Sequence, residues 1–338
     1  MKNWKKVGLT TLAGSLVATS AFAGAVTVSG TANLTYTANE GTEDNAGNVA
    51  SGGGVGIDGS RWGLNKSLSF SGSGELDNGW TVSVSQTLKD GSSTGLGMTI
   101  DMGDVGSLNY EADTGARGIG KIKDMMPTAD EDVGNGIDAD GSGSAGGLSG
   151  TVSGGTQGFH YSKAMDMVEI GIGYAPQGGS SNANGGVSGA GGGASTVSAF
   201  VKIDPMDGLE IGLGTGEKQS ATAAQTDDHT TAYVTYVYGP VTVGYQLSET
   251  ETFASGTADD EQTRWAVLYA INDEMSISYQ DHTNDGDTQA TDEEASGWSA
   301  SYTSGGITFK AHRNQADNVG NAANMESEHT EVGVTFAF

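Results

Sequence analysis

The sequence predicts an all-β fold: a 16-stranded antiparallel up-and-down transmembrane β-barrel. Three observations predict it. Apolar and polar residues alternate along most of the chain, the period of a strand with two different faces. The connections between alternating segments run short, long, short, long. After residue 24, no stretch approaches the roughly 20 apolar residues of a membrane helix, whereas a barrel strand needs only about 9–11.

"AVTVSGTANLTYT" sets Val26, Val28, Ala32, Leu34 and Tyr36 against Thr27, Ser29, Thr31, Asn33 and Thr35. "WTVSVSQTL" sets Trp80, Val82, Val84 and Leu88 against Thr81, Ser83, Ser85 and Thr87, and "VEIGIGYA" repeats the scheme. The 56 glycines break helices, and few segments carry a helical period. Such segments fall at 25–37, 61–75, 80–88, 95–103, 106–112, 156–164, 168–175, 195–204, 209–217, 229–239, 241–249, 261–271, 275–283, 295–303, 307–314 and 328–338.

"LDNG", "DV", "AMDM", "PMDG", "GP", "NDE" and "SGG" are tight turns made of turn residues. Between them lie longer polar connections, among them 38–60, 176–194, 218–228, 250–260, 284–294 and 315–327. In an up-and-down barrel every second connection lies at one rim, and outer-membrane barrels have short periplasmic turns and long outer loops. A soluble sandwich has no reason to sort its loops this way. The faces opposite the apolar ones carry Ser, Thr, Gly and Asn, which suit a water-filled interior. About 16–18 strands leave an aqueous channel, while about 8 fill with side chains.

The first residues, "MKNWKKVGLTTLAGSLVATSAFAG", combine Lys2, Lys5 and Lys6 with a short apolar run and Ala21-Phe22-Ala23. This is the pattern of a cleaved secretory signal over 1–23, leaving 24–338 as the barrel. Removing those three lysines from the 15 basic residues leaves 12 against 42 acids, a net charge of −30. Nucleic acid is excluded as a partner, because phosphates need basic contacts. With no cysteine there is neither a disulfide framework nor thiol chemistry. The one Gly-x-Ser-x-Gly string, Gly91-Ser92-Ser93-Thr94-Gly95, falls in a short connection with no helical pattern after it and so is not a nucleophile elbow. No His-Glu-x-x-His motif occurs, and the expectation is that the protein is not an enzyme.

The last segment, "HTEVGVTFAF", alternates Val332, Val334, Phe336 and Phe338 with Glu331, Gly333, Thr335 and Ala337. It is expected to close the barrel against 25–37, with Phe336 and Phe338 at the periplasmic aromatic girdle. This ending resembles the C-terminal signature of Gram-negative outer-membrane barrels, apart from the polar Thr330. The resemblance implies that the assembly machinery of that membrane reads it.

One connection is too long for the rhythm. Residues 113–155 form some forty residues without a strand pattern, and loops of that length are usually functional. "MGDVGSLNYEADTGARGIGKIKD" resembles the turn, strand and loop start of the general Gram-negative porins, of the alphaproteobacterial type. That resemblance implies a third outer loop folded inward as a constriction, passive diffusion of small hydrophilic solutes and ions, and a homotrimer in outer-membrane lipid. The short second loop, "KDGSST", departs from the family's habit of latching that loop onto a neighbour.

Asp124, Asp130, Glu131 and Asp132 are the acids expected at the constriction. Parity places Arg61, Lys202, Arg264, Lys310 and His312 on the lumen wall as bases facing it, and Lys66 outward. The plainer reading is that the acids keep a surface loop solvated. Asp138 and Asp140 begin like a calcium loop but lack the Glu at position twelve, so loop-bound calcium is an alternative to ordinary turn chemistry and no other cofactor is implied. His229, at a loop edge, is expected to be solvated.

The expected function is a water-filled outer-membrane diffusion channel with a modest cation preference. The alternatives are a substrate-selective channel, with 18 strands allowed, and a structural or adhesive surface barrel whose loops bind partners or calcium.

Overall fold

The computed structural model describes residues 26–44, 59–111, 117–137, 158–176, 195–219, 226–252, 259–286, 291–321 and 323–338. The signal segment, the second half of the long loop and the calcium candidates Asp138 and Asp140 lie outside the described residues.

Sixteen strands appear in chain order. They are β1 (Thr27–Asp44), β2 (Gly59–Glu75), β3 (Thr81–Lys89), β4 (Ser92–Asp101), β5 (Ser107–Glu111), β6 (Gly158–Met165), β7 (Val168–Ala175) and β8 (Ser195–Met206). Then follow β9 (Leu209–Gln219), β10 (Thr226–Tyr238), β11 (Val241–Glu251), β12 (Asp260–Asn272), β13 (Met275–Gly286), β14 (Glu293–Ser304), β15 (Ile307–Asp317) and β16 (Met325–Ala337). Each pairs antiparallel with its chain neighbours, and β16 pairs with β1 to close the barrel. The 18-strand alternative is therefore overturned. Several strands extend beyond the sequence-based limits at their outer ends. Residues such as Asn39 and Glu40 in β1 continue the ladder where side chains pass out of the apolar band and carry no alternation to read.

Closure removes the sheet edge, whose unpaired N–H and C=O groups would each cost several kcal/mol in lipid. The outward face carries the apolar set: Trp62, Leu64, Tyr245, Trp265, Tyr279, Trp298 and Phe309 are all exposed. Their strand neighbours Gly63, Gln246, Arg264, Ser278, Ser299 and Lys310 face the other way and are buried or half-buried. Outward aromatics pair across strands, as Trp265 does with Tyr279 at 5.5 Å between ring centroids.

The turn between β3 and β4 is Asp90-Gly91, both at positive φ (49° and 89°), the geometry of a two-residue hairpin. The Asp90 carboxylate accepts a hydrogen bond from the Lys66 amide at 2.9 Å, so this short loop folds back on its own barrel.

At the seam, Ala32 opposes Phe336 and Leu34 opposes Val334. The Gly30 amide donates to the Phe338 carbonyl (2.9 Å), and the Phe338 amide donates to the Gly30 carbonyl (3.0 Å). The Phe338 ring lies over Gly30, where an added Cβ would sit 2.6 Å from its Cζ. Deleting Phe338 removes two backbone bonds, each worth about 1 kcal/mol net, and should lower the yield of heat-modifiable, protease-resistant barrel. Gly30→Leu, which expels the ring, should do the same; normal assembly of both variants would mean the seam closes without this pair.

Candidate functional site

Residues 117–137 run along the inner, polar face of the barrel. The segment is anchored at its start by a 3₁₀ turn, Gly118–Ile122. There the Gly118 amide donates to His160 Nδ1 (3.1 Å) and the Ile119 amide to Ser198 Oγ (3.2 Å). Ile119 and Ile122 pack with Phe200 and Tyr233 in a small apolar cluster on the largely polar inner wall. The wall beneath is glycine so that the turn can approach. A Cβ on Gly173 would lie 2.6 Å from the Gly118 amide nitrogen and 2.8 Å from the Arg117 carbonyl carbon, both backbone atoms that cannot swing aside. Gly173→Val should therefore lift the turn from the wall, at about 1–3 kcal/mol of overpacking, and speed tryptic cleavage at Lys121 and Lys123. Unchanged cleavage would show that the turn is not seated there.

Further along, polar side chains of the wall satisfy the segment's backbone, which has no ladder of its own. Gln246 accepts from the Met125 amide (3.0 Å) and donates to the Ile122 carbonyl (2.9 Å). Ser278 accepts from the Ala129 amide (3.0 Å), Ser299 from the Asp130 amide (3.1 Å) and Gln280 from the Val133 amide (3.0 Å). Asn314 donates to the carbonyls of Asp132 (3.1 Å) and Asn135 (2.9 Å). Val133 and Ile137 finish the seat against Ala295, Ala316, Val319 and Met325.

These contacts bring acids and bases together. Lys310 Nζ lies 3.2 Å from Asp130 and 3.6 Å from Glu131, and His312 Nδ1 lies 3.1 Å from the other Asp130 oxygen. Arg264 Nη1 lies 3.6 Å from Asp124. Burial works against the Asp130 carboxylate, but the His312 hydrogen bond and the Lys310 charge outweigh it and hold it below the ordinary range. Asp132 goes the other way: burial and then the neighbouring Asp124 charge push it up to about 6. The His312 ring also stacks on His329, with centroids 5.1 Å apart.

All four candidate acids lie on the segment, and three of the five candidate bases meet them. The other two do not. Lys202 is bridged to Glu169 at 2.5 Å, near the tight turn at Asp166–Met167. Arg61 is exposed, opposite Thr37 toward the outer end of β2. His229 corrects the expectation of a solvated loop residue. It lies within β10, 1% exposed, with Nδ1 3.1 Å from Thr250 Oγ1. The strand starts earlier than the apolar pattern suggests, and that extension turns the ring to the inner face. Sequence reading missed Gln246, Gln280 and Asn314, together with Ser278 and Ser299. Their only signal was small polar residues at inward parity on successive strands.

A sequence model of the Gram-negative porin family matches residues 8–277. The chain belongs to the Gram-negative porin family. This porin is an outer-membrane protein that forms a channel for passive diffusion. Among solved structures, an anion-selective porin from Comamonas acidovorans superposes on it with a TM-score of 0.65 at 13% identity, covering 93% of this chain and 99% of that one. The trimer form of OmpT, an outer membrane protein of Vibrio cholerae, gives 0.64 at 12% identity, covering 94% and 100%. A mutant of the Rh. blastica porin gives 0.60 at 14% identity, covering 93% and 100%. At these identities the likeness concerns the fold alone. A comparison with curated protein sequences finds no match.

Proposed function

We propose that this porin passes small hydrophilic solutes and ions through a water-filled lumen narrowed by residues 117–137, with a modest preference for cations and no covalent chemistry. The observation that carries the reading is the grouping of four carboxylates, Asp124, Asp130, Glu131 and Asp132, on the inner wall. Among the described residues Arg264 and Lys310 are the fixed cations ion-paired to them, and the segment's own bases, Arg117, Lys121 and Lys123, are gathered at its start. Glu131, with a 44% exposed side chain, shares Lys310 with Asp130 and so presents partly compensated charge to the lumen. Carboxylates lining a narrow pore favour cations, and a wide pore lets ions keep their water, so anions are slowed and not barred.

The working form is a homotrimer in outer-membrane lipid. The trimer form of the V. cholerae structure supports this, as does the apolar outward surface where Leu34, Tyr36, Trp62, Phe309 and Val332 meet across the seam. Phe336 and Phe338 serve as the end that the assembly machinery reads. Planar-bilayer recording of the purified protein tests the reading. Step currents in triplets support a trimeric open channel, whereas absence of current removes it.

A further inference from the structure

The lumen has two unlike walls. The described hydrogen bonds and ion pairs of the 117–137 segment run to strands from β6 to β15. The charged side chains in them are already matched: Asp130 and Lys310 lie 3.2 Å apart with side chains only 9% and 12% exposed. The inner face of β1–β5 is built differently. Arg61 and Lys89 stand toward its outer end, and Glu75 and Asp101 at its periplasmic end. Between them the inner positions 31–37, 63–71, 83–87, 97–99 and 107–109 carry Ser, Thr, Asn and Gly and no charge.

Hydroxyls and amides on this wall pair across strands. Thr31 and Ser67 hydroxyls lie 2.8 Å apart, Ser69 and Thr87 hydroxyls 2.8 Å apart, and Asn109 donates to Thr99 at 2.8 Å. Each pair engages one donor, and the remaining lone pairs and protons face the lumen. Asn65 is exposed. A solute rich in hydroxyls can exchange its water for these groups at little enthalpic cost. A charged solute finds no counter-charge on the same wall and must keep its hydration shell or lose it uncompensated.

We propose that the uncharged, hydroxyl- and amide-bearing wall of β1–β5 is a solute track that favours neutral polyhydroxylated solutes, sugars and polyols, over charged solutes of the same size. This rests on the channel reading above and deepens it. The track acts on solutes large enough to touch the wall, so it is separate from the selectivity among small ions.

Liposome swelling with glucose, glucosamine and gluconate, which are close in size and differ in charge, tests it in the full-length porin carrying Asp130→Asn, Glu131→Gln and Asp132→Asn, whose constriction no longer favours the cationic sugar. Glucose should enter faster than either charged analogue by about three-fold, the order expected for one hydrogen bond gained or lost. Ser67→Ala combined with Ser69→Ala and Thr99→Val should bring the glucose-to-glucosamine ratio toward one. Should that variant fail to assemble, Asn65→Asp, at an exposed position, should slow glucose relative to glucosamine. Glucosamine as fast as glucose in the porin with the neutralised constriction, or a ratio unmoved by the wall substitutions added to it, overturns the track. Failure of the channel reading looks different: no potassium current in a bilayer and no swelling with any solute.

Discussion

Excising residues 124–145 raises single-channel conductance by about two-fold, since a 16-stranded barrel free of an inner segment is an open aqueous channel, and it admits larger sugars. The physical basis is the seat of the segment. From Met125 to Asn135, backbone groups are satisfied by Gln246, Ser278, Ser299, Gln280 and Asn314, so this stretch occupies lumen volume along the wall. Removing it exposes those wall side chains to water, which can satisfy them, so the barrel itself should survive. The apolar anchor of Ile119 and Ile122 on Phe200 and Tyr233 stays in place and keeps the shortened loop attached. Single-channel recording of the refolded variant is the measurement. Unchanged conductance would place the constriction elsewhere in the lumen.

Changing Asp130, Glu131 and Asp132 together to Asn or Gln moves the reversal potential in a KCl gradient from modestly cation-selective toward zero. Each change removes one negative charge, while Lys310 and Arg264 remain. The outer ends of β11 and β12 carry Glu249, Glu251, Asp260 and Glu261, and salt screens such charges at the mouth, because the Debye length is about 8 Å at physiological ionic strength. The constriction should therefore dominate as salt rises. The same measurement has a pH dependence of known sign. Asp132, pushed up to about 6, is mostly carboxylate at pH 7 and mostly neutral at pH 5. Acidification across that window should lower the cation preference, and Asp132→Asn alone should remove the step. Asp130, held below the ordinary range, stays charged throughout. An anion-selective unmodified channel would sink the proposal. It would mean that Arg61, Lys202, Arg264 and Lys310 control the passage.

The strands were legible because a strand's side chains alternate between faces, and in a lipid-facing barrel one face must be apolar. Phe309 and Ala311 outward require Lys310 and His312 inward, and the register with β14 and β16 shows that arrangement. Where that constraint lapses, legibility lapses with it. Above the apolar band both faces meet polar surroundings, which hid the start of β10 and with it the burial of His229.

By its sequence alone the protein determined its strand count, its inside-out polarity, the face of each wall base and the loop that carries the acids. These follow from a two-residue period and from turn chemistry, both local. Only the tertiary structure decided which partners meet. His312 and Asp130 lie 182 positions apart in the chain and 3.1 Å apart in space. Residues 117–137 have no period from which such a contact could be read. Their path is set by the shape of the wall: glycine at positions 173, 214 and 244 leaves room for the segment, and hydroxyl and amide side chains at 246, 278, 280, 299 and 314 hold its backbone. The register of neighbouring strands β7 and β8 set Lys202 directly opposite Glu169, and Arg61 lies toward the outer end of β2, away from the acids, because parity chooses a face while register chooses the neighbour across it.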